Sequence, residues 1–194
     1  MTGVTGILLA AGAGSRFGGG KLLHPLPDGG VPLALAACRR LRQAVEQVCV
    51  VVRAGDDAVA SLFQHEDVCI VTCKDTMAGM GRSIACGVEA MADADGWVIA
   101  LGDMPRVSLD TISGIASAIG FGTPICVPVF AGQRGHPVGF GSRFLPELVA
   151  LTGDIGAREI LRAHRDLVHE LVVDDPGIHA DIDTRADLER LASG

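Results

Sequence analysis

The chain has 194 residues, 48% of them apolar, which is the length of one domain with ample material for a core; residues 1–194 are expected to form a single domain. Its 16 Lys and Arg are outnumbered by 23 Asp and Glu, a net charge of −7, and its aromatic residues are six Phe and one Trp. Nucleic-acid binding wants a basic face with aromatic stacking partners, so this balance argues against it; a small polyanion is allowed if its counter-charges are local or metallic. The opening stretch MTGVTGILLAAG has no basic segment ahead of its apolar run, which ends at Gly12. Neither a signal peptide nor a membrane span is expected, and a cytoplasmic location is. Cys38, Cys49, Cys69, Cys73, Cys86 and Cys126 lie mostly in apolar segments, with no CxxC pair and no zinc-like spacing. They are expected to be reduced core residues, with redox activity left open only for the near pair Cys69 and Cys73.

In chain order, the first strand is expected over residues 6–10, followed by a glycine-rich loop. Pro32 stands at the start of a helix over residues 32–44, in which Leu33, Ala34, Ala37, Cys38 and Leu41 form one apolar stripe. VCVVV at 48–52 is β-branched, short and apolar on both faces, as a buried central strand should be. A helix over 56–63, a strand over 68–72 and a helix over 80–92 that tolerates Gly87 come next. WVIALGD at 97–103 reads as another buried strand ending in a polar turn. A helix over 108–119 is capped by Ser108 with Asp110 in its first turn. PICVPVF carries Pro128, which predicts an edge or bulged strand; HPVGF alternates and suits antiparallel pairing. A helix over 156–164, a strand over 167–173 and a final helix with Thr184 as N-cap complete the pattern. Alternating strands and helices predict a Rossmann-like three-layer α/β/α sandwich, its sheet mostly parallel with antiparallel additions.

The loop LLAAGAGSRFGGGK at 8–21 fits neither common phosphate template. A Walker A loop would need glycine where Ser15 stands, and a Ser or Thr where Leu22 follows Lys21. A dinucleotide fingerprint starting at Gly12 and Gly14 would need glycine at Phe17. The physical logic survives both failures. Glycines directly after a first strand let backbone N–H groups approach a phosphate, and Arg16 and Lys21 add a planar fork and a point charge for the same oxyanions.

LAAGAGSRFGGGK resembles the LAAGxSxRxGxxK signature of the nucleotidyltransferase fold shared by sugar nucleotidyltransferases and molybdenum cofactor nucleotidyltransferases, most nearly the molybdenum cofactor cytidylyltransferases. The likeness continues through GMGRSIACGV (79–88), LGDMP (101–105), RGHPVGF (134–140), GDIGAR (153–158) and DIDTRADL (181–188). It implies transfer of CMP from CTP to the terminal phosphate of a molybdopterin-type cofactor, with Mg²⁺ as cofactor and an apo molybdenum hydroxylase as possible recipient of the product. The nucleotide would lie on Leu9, Ala10, Ala11, Gly12, Gly14, Ser15, Arg16 and Lys21, on Gly79, Gly81 and Ser83, and on Asp103. Of these, Arg16, Lys21 and Asp103 would be catalytic.

The resemblance assigns the metal to Asp103 and Asp183, with Asp181, two residues earlier on the same strand face, able to share the role. Triphosphate chemistry needs a hard divalent cation on one or two carboxylates, which suits that pair. Arg185 and Ala186 replace the Pro-Glu common after the threonine, while Asp187 reads as a first-turn acid complementing a helix dipole. The acceptor would meet His136, Asp154, Gly156, Ala157 and Arg158, the last beside the free N–H groups of a helix start. Ala11 stands where guanine-specific relatives have glycine, and is expected to favour cytosine. Two alternatives remain open: a guanylyltransferase or other nucleotidyltransferase of the same fold, and a non-catalytic factor that delivers cofactor to a molybdenum hydroxylase.

Overall fold

In the computed structural model, strand β1 (Val4–Ala10) turns Ile7 and Leu9 to one face of a sheet and Leu8 and Ala10 to the other. All four are buried, because helices cover both faces. The structure describes residues 3–192 except 13, 15, 16, 28, 75–78 and 155. The remaining strands are β2 (Gln47–Arg53), β3 (Cys69–Cys73), β4 (Gly96–Leu101), β5 (Ile125–Phe130), β6 (Gln133–Arg134), β7 (Val138–Gly141) and β8 (Val168–Val172). Their order in one sheet is β3-β2-β1-β4-β7-β5-β6, with β8 beside β5. β3, β2, β1 and β4 run parallel, as do β5 and β8, while β7 is antiparallel to both β4 and β5 and β6 is antiparallel to β5.

Helices α1 (Leu33–Ala44) and α4 (Leu109–Gly120) pack on one face through Leu41, Ile115 and Ile119, joined by Val59 of α2 (Asp57–Ser61). Helices α3 (Met80–Ala90), α5 (Leu145–Val149) and α6 (Arg158–Ala163) cover the other through Ile84, Val88, Leu148 and Ile160. The result is the expected three-layer sandwich. At fully buried Trp97 the indole N–H donates to the Met91 carbonyl at 3.0 Å, so the one large polar aromatic in the core is satisfied. The last helix, α7 (Arg185–Ala192), lies with the glycine loop rather than on either sheet face.

Three expectations need correction. β5 is an interior strand, with β6 and β7 on one side and β8 on the other. Pro128 is tolerated because the strands opposite it are interrupted between Arg134 and Val138, where the Pro128 carbonyl accepts from Gly135 N at 2.9 Å. The helix expected over 56–63 is one short turn-and-a-half, Asp57–Ser61, capped by the Asp56 carboxylate. Finally, the cysteines are not all reduced. α3 packs on the sheet beside β3, placing Cys73 and Cys86 with Cα atoms 6.1 Å apart, and they form a disulfide. Cys38, Cys49 and Cys126 are buried thiols and Cys69 is an exposed one, so Cys69 and Cys73 do not pair. Burial pushes the Cys38 and Cys49 thiols up to about 12, and that of Cys126 to about 11, which keeps them protonated and inert.

Candidate functional site

The parallel neighbours β1 and β4 end side by side, with Leu9 opposite Leu101, and the loops leaving them form a crevice at the point where the sheet's order changes direction. Gly18, Gly19 and Gly20 follow one another at φ +89, +93 and +65, a run of left-handed backbone that side chains would strain. It delivers Lys21 into the crevice, 8% exposed. There the ammonium donates to Asp103 Oδ2 at 2.8 Å and to Asp183 Oδ1 at 2.9 Å. Burial alone would lower the lysine's proton affinity; the two carboxylates outweigh it, Asp103 more than Asp183, and hold the pKa above its ordinary value.

Each carboxylate is fixed by its own chain segment. After β4, Gly102 N donates to the Leu9 carbonyl at 3.0 Å and Met104 N to the Leu101 carbonyl at 3.2 Å, a tight turn with Asp103 between them. Ile182 N then donates to the Asp103 carbonyl at 3.1 Å, which brings the tail alongside. Ile182 and Leu188 pack with Phe17, Leu26 and Leu33 in a small separate core, tying the tail to the glycine loop. α7 begins on a reciprocal cap: Asp187 N donates to Thr184 Oγ1 at 3.2 Å, and the Asp187 carboxylate accepts from the backbone of Thr184 at 2.6 Å and of Asp183 at 3.1 Å. Those bonds hold the Asp187 carboxyl below the usual carboxylate range. Asp187 is therefore a capping residue that also fixes the Asp183 backbone, a more specific role than dipole complement. Asp181 is exposed, and the recorded contacts with Lys21 come from Asp183 and Asp103.

The two carboxylates converge on the Lys21 ammonium, and they are also hard oxygen ligands of the kind a divalent cation takes; Asp103 Oδ1 is buried with no hydrogen-bond partner among the described residues, which leaves one such oxygen for a cation. Among those residues no cluster of three or more His, Cys, Asp or Glu is arranged for metal binding, so substrate and water oxygens would have to complete the shell. Ser15 and Arg16 lie outside the described residues. Ala10 and Ala11 are buried at the end of β1, and Gly12 has open space around it. Gly14 meets Lys21 and accepts from Phe17 N and Gly19 N through its carbonyl, closing the loop. From the neighbouring strand end, Arg53 Nη2 donates to the Ala11 carbonyl at 2.9 Å, a cation supplied by β2 that no local pattern announces.

Gly79 and Gly81 stand where the protein's own backbone approaches closely. A Cβ on Gly79 would collide with Asp154 and Gly153, and Gly81 N donates to the Gly153 carbonyl at 2.8 Å. These glycines dock the start of α3 on the turn before α6, and Ser83 is buried within α3. The segments expected at nucleotide and at acceptor are thereby joined.

Beside this junction is a cavity of about 610 Å³. Its floor is apolar, with Leu9, Ile99, Leu101, Val138 and Phe140; His136, Asp154, Gly156, Ala157 and Arg158, the residues that the resemblance assigned to the acceptor, all line this one cavity. His136 Nδ1 is buried without a hydrogen-bond partner among the described residues. Burial lowers the imidazole's proton affinity, Asp103 partly restores it and Arg158 opposes protonation, so the ring's pKa lies below its ordinary value. Arg134, Arg162 and Arg165 also line the cavity and were missed. Helical spacing from Arg158 would have found Arg162, at i+4; Arg165 lies in the 3-10 turn beyond the helix end.

With this geometry in view, comparison with known proteins gives a consistent class. Residues 6–168 match the MobA-like NTP transferase domain model, and the chain belongs to that nucleotidyltransferase family. It is 32% identical to nicotine blue oxidoreductase of Paenarthrobacter nicotinovorans, covering 97% of this chain and 96% of the relative. It is also 32% identical to purine catabolism protein PucB of Bacillus subtilis (strain 168), covering 81% and 80%. The crystal structure of Rv0371c from Mycobacterium tuberculosis H37Rv superposes with a TM-score of 0.83 at 31% identity, over 100% of both chains. A second crystal structure of that protein, a complex with manganese, gives 0.81 at 30% identity, again over 100% of both. Among the described residues no helix is long and apolar enough to cross a membrane.

Proposed function

We propose that the protein transfers CMP from CTP to the terminal phosphate of a molybdopterin-type cofactor, forming the cytosine dinucleotide and releasing pyrophosphate, for use by an apo molybdenum hydroxylase. The observation that carries this reading is the meeting of Lys21, Asp103 and Asp183 at the β1 and β4 ends, next to a cavity with an apolar floor and a cationic rim. The manganese bound in a similar structure supports a divalent cation in this family's site.

The nucleophile is a phosphate monoester whose second pKa is near 6, so it is mostly dianionic at neutral pH and needs no general base. His136, whose pKa burial lowers, is then not required as a base and serves as part of the acceptor's cavity wall. The difficulty is like-charge approach. Two unit charges 4 Å apart repel by about 4 kcal/mol at an effective dielectric near 20, roughly a thousandfold in rate. Lys21, charged and held by two carboxylates, and Arg16 on the same loop stabilise the leaving pyrophosphate. Asp103 and Asp183 would hold a divalent cation such as Mg²⁺ once the Lys21 ammonium turns from them to the phosphates, and the cation would supply charge neutralisation and polarisation of the α-phosphate. The apolar floor takes the acceptor's ring system, while Arg158 and the backbone at Gly156 and Ala157 align its phosphate.

Pyrophosphate release, measured with each of the four nucleoside triphosphates and with or without molybdopterin cofactor, tests the reading. Release is expected only with CTP plus cofactor. Release with GTP in place of CTP would make the protein a guanylyltransferase, and cofactor binding without any release would make it a delivery factor.

A further inference from the structure

The cavity holds more positive charge than one reacting phosphate requires. Arg158, Leu161 and Arg162 share one face of α6 at i, i+3 and i+4, Arg165 follows in the 3-10 turn beyond the helix end, and Arg134 comes from β6; all four arginines are exposed and line the cavity. Asp154 is the one carboxylate in the cavity wall among the described residues, in a chain whose net charge is −7. Most arginines elsewhere are engaged: Arg39 and Arg42 with Glu66, Arg53 with the Ala11 carbonyl, Arg190 with Asp187. Arg134 is bound to Glu170 at 2.7 Å, whereas no ion pair to a described residue is recorded for Arg158, Arg162 or Arg165. Like charges at i, i+4 weaken a helix, so this face is a local cost that helix stability does not explain.

We infer that Arg162 and Arg165 form a second anion subsite, and that the acceptor carries an anionic group besides the phosphate that reacts. The inference rests on the acceptor reading of this cavity, but not on which nucleotide is transferred. Arg158 opens α6 directly after Gly156 and Ala157 and serves the reacting phosphate. Arg162, on the same helix face, and Arg165, in the turn beyond it, hold the second group by charge-assisted, bidentate contacts. The substrate class is thus a ring system that packs on the apolar floor and carries separated anionic groups. A neutral-headed phosphate ester would leave two guanidinium groups unused.

The test uses the full chain and two fluorescent probes, naphthalene-1,5-disulfonate and naphthalene-1-sulfonate. The wild type is expected to bind the disulfonate about tenfold more tightly than the monosulfonate. The double variant Arg162→Gln/Arg165→Gln is expected to lose about tenfold for the disulfonate and under about twofold for the monosulfonate, with a shallower salt dependence. Equal disulfonate affinity in wild type and variant overturns the inference, as does an equal loss for both probes; an unchanged circular dichroism melt shows that the variant is folded. With molybdopterin cofactor as acceptor, the same variant should raise the KM for cofactor about tenfold and leave that for CTP unchanged. Wild-type inactivity with every cofactor and nucleotide pair defeats the function reading, while the probe pair still decides the subsite.

Discussion

Around Lys21, residues from the beginning, middle and end of the chain meet within 3 Å of one nitrogen, whereas the charged wall of the cavity comes mainly from one six-residue helix and the turn after it. The first arrangement depends on the whole fold: a strand end, a tight turn and a tail locked down by Phe17 and Ile182. The second depends mainly on one short helix and its following turn. A centre built from distant segments can change only with the fold that brings them together, whereas a wall carried by one short element can be retuned by changing its exposed side chains.

The comparison can be broken at the reaction centre first. Asp103→Ala is expected to cut kcat/KM roughly a thousandfold by removing Lys21's closer partner and a proposed metal ligand, and near-normal turnover of the purified variant would defeat the assignment. Phe17→Ala touches no substrate in this account, yet it should cost about 3 kcal/mol in urea unfolding and also slow turnover, because it loosens the core that presents Asp183. If stability falls while turnover is unaffected, the tail is not positioned through that core. On the cavity side of the sheet, Cys86→Ser should cost about 2–3 kcal/mol by opening the cross-link across a separation of 13 residues, and a reductant should do the same to the wild type but nothing further to the variant.

The smallest effect is a pH slope. The folded protein holds His136 below its ordinary pKa, so the unfolded chain binds the extra proton as pH falls through about 6.5. Stability from this group is complete above that pH and declines below it, by at most about 1.4 kcal/mol per pH unit until the folded pKa is passed. His136→Gln should flatten the acid side of the stability profile by that amount; identical wild-type and variant profiles would show the imidazole to be solvated.

Much of this was legible because backbone constraint leaves marks. The β-branched runs announced β2 and β4, Ser108 and Thr184 announced helix starts, and the glycine run announced the loop that carries Lys21. What the sequence hid were contacts between distant segments. Nothing local says that Phe17 packs on Ile182, that Arg53 braces Ala11, or that Cys73 finds Cys86 across β3 and α3. Pro128 misled because the rule for proline in strands concerns its missing N–H, and here the interruption of the opposite strands removes the need for it. Gly79 and Gly81 read as room for a ligand, yet their immediate neighbour is the protein's own 152–154 turn.

The most direct test of the account follows the α-phosphate itself. With CTP labelled at that phosphate, the wild-type protein and molybdopterin cofactor are predicted to yield labelled cofactor and unlabelled pyrophosphate, at a rate that collapses in Asp103→Ala. Bound cofactor that stays unlabelled while CTP remains intact would contradict the central claim.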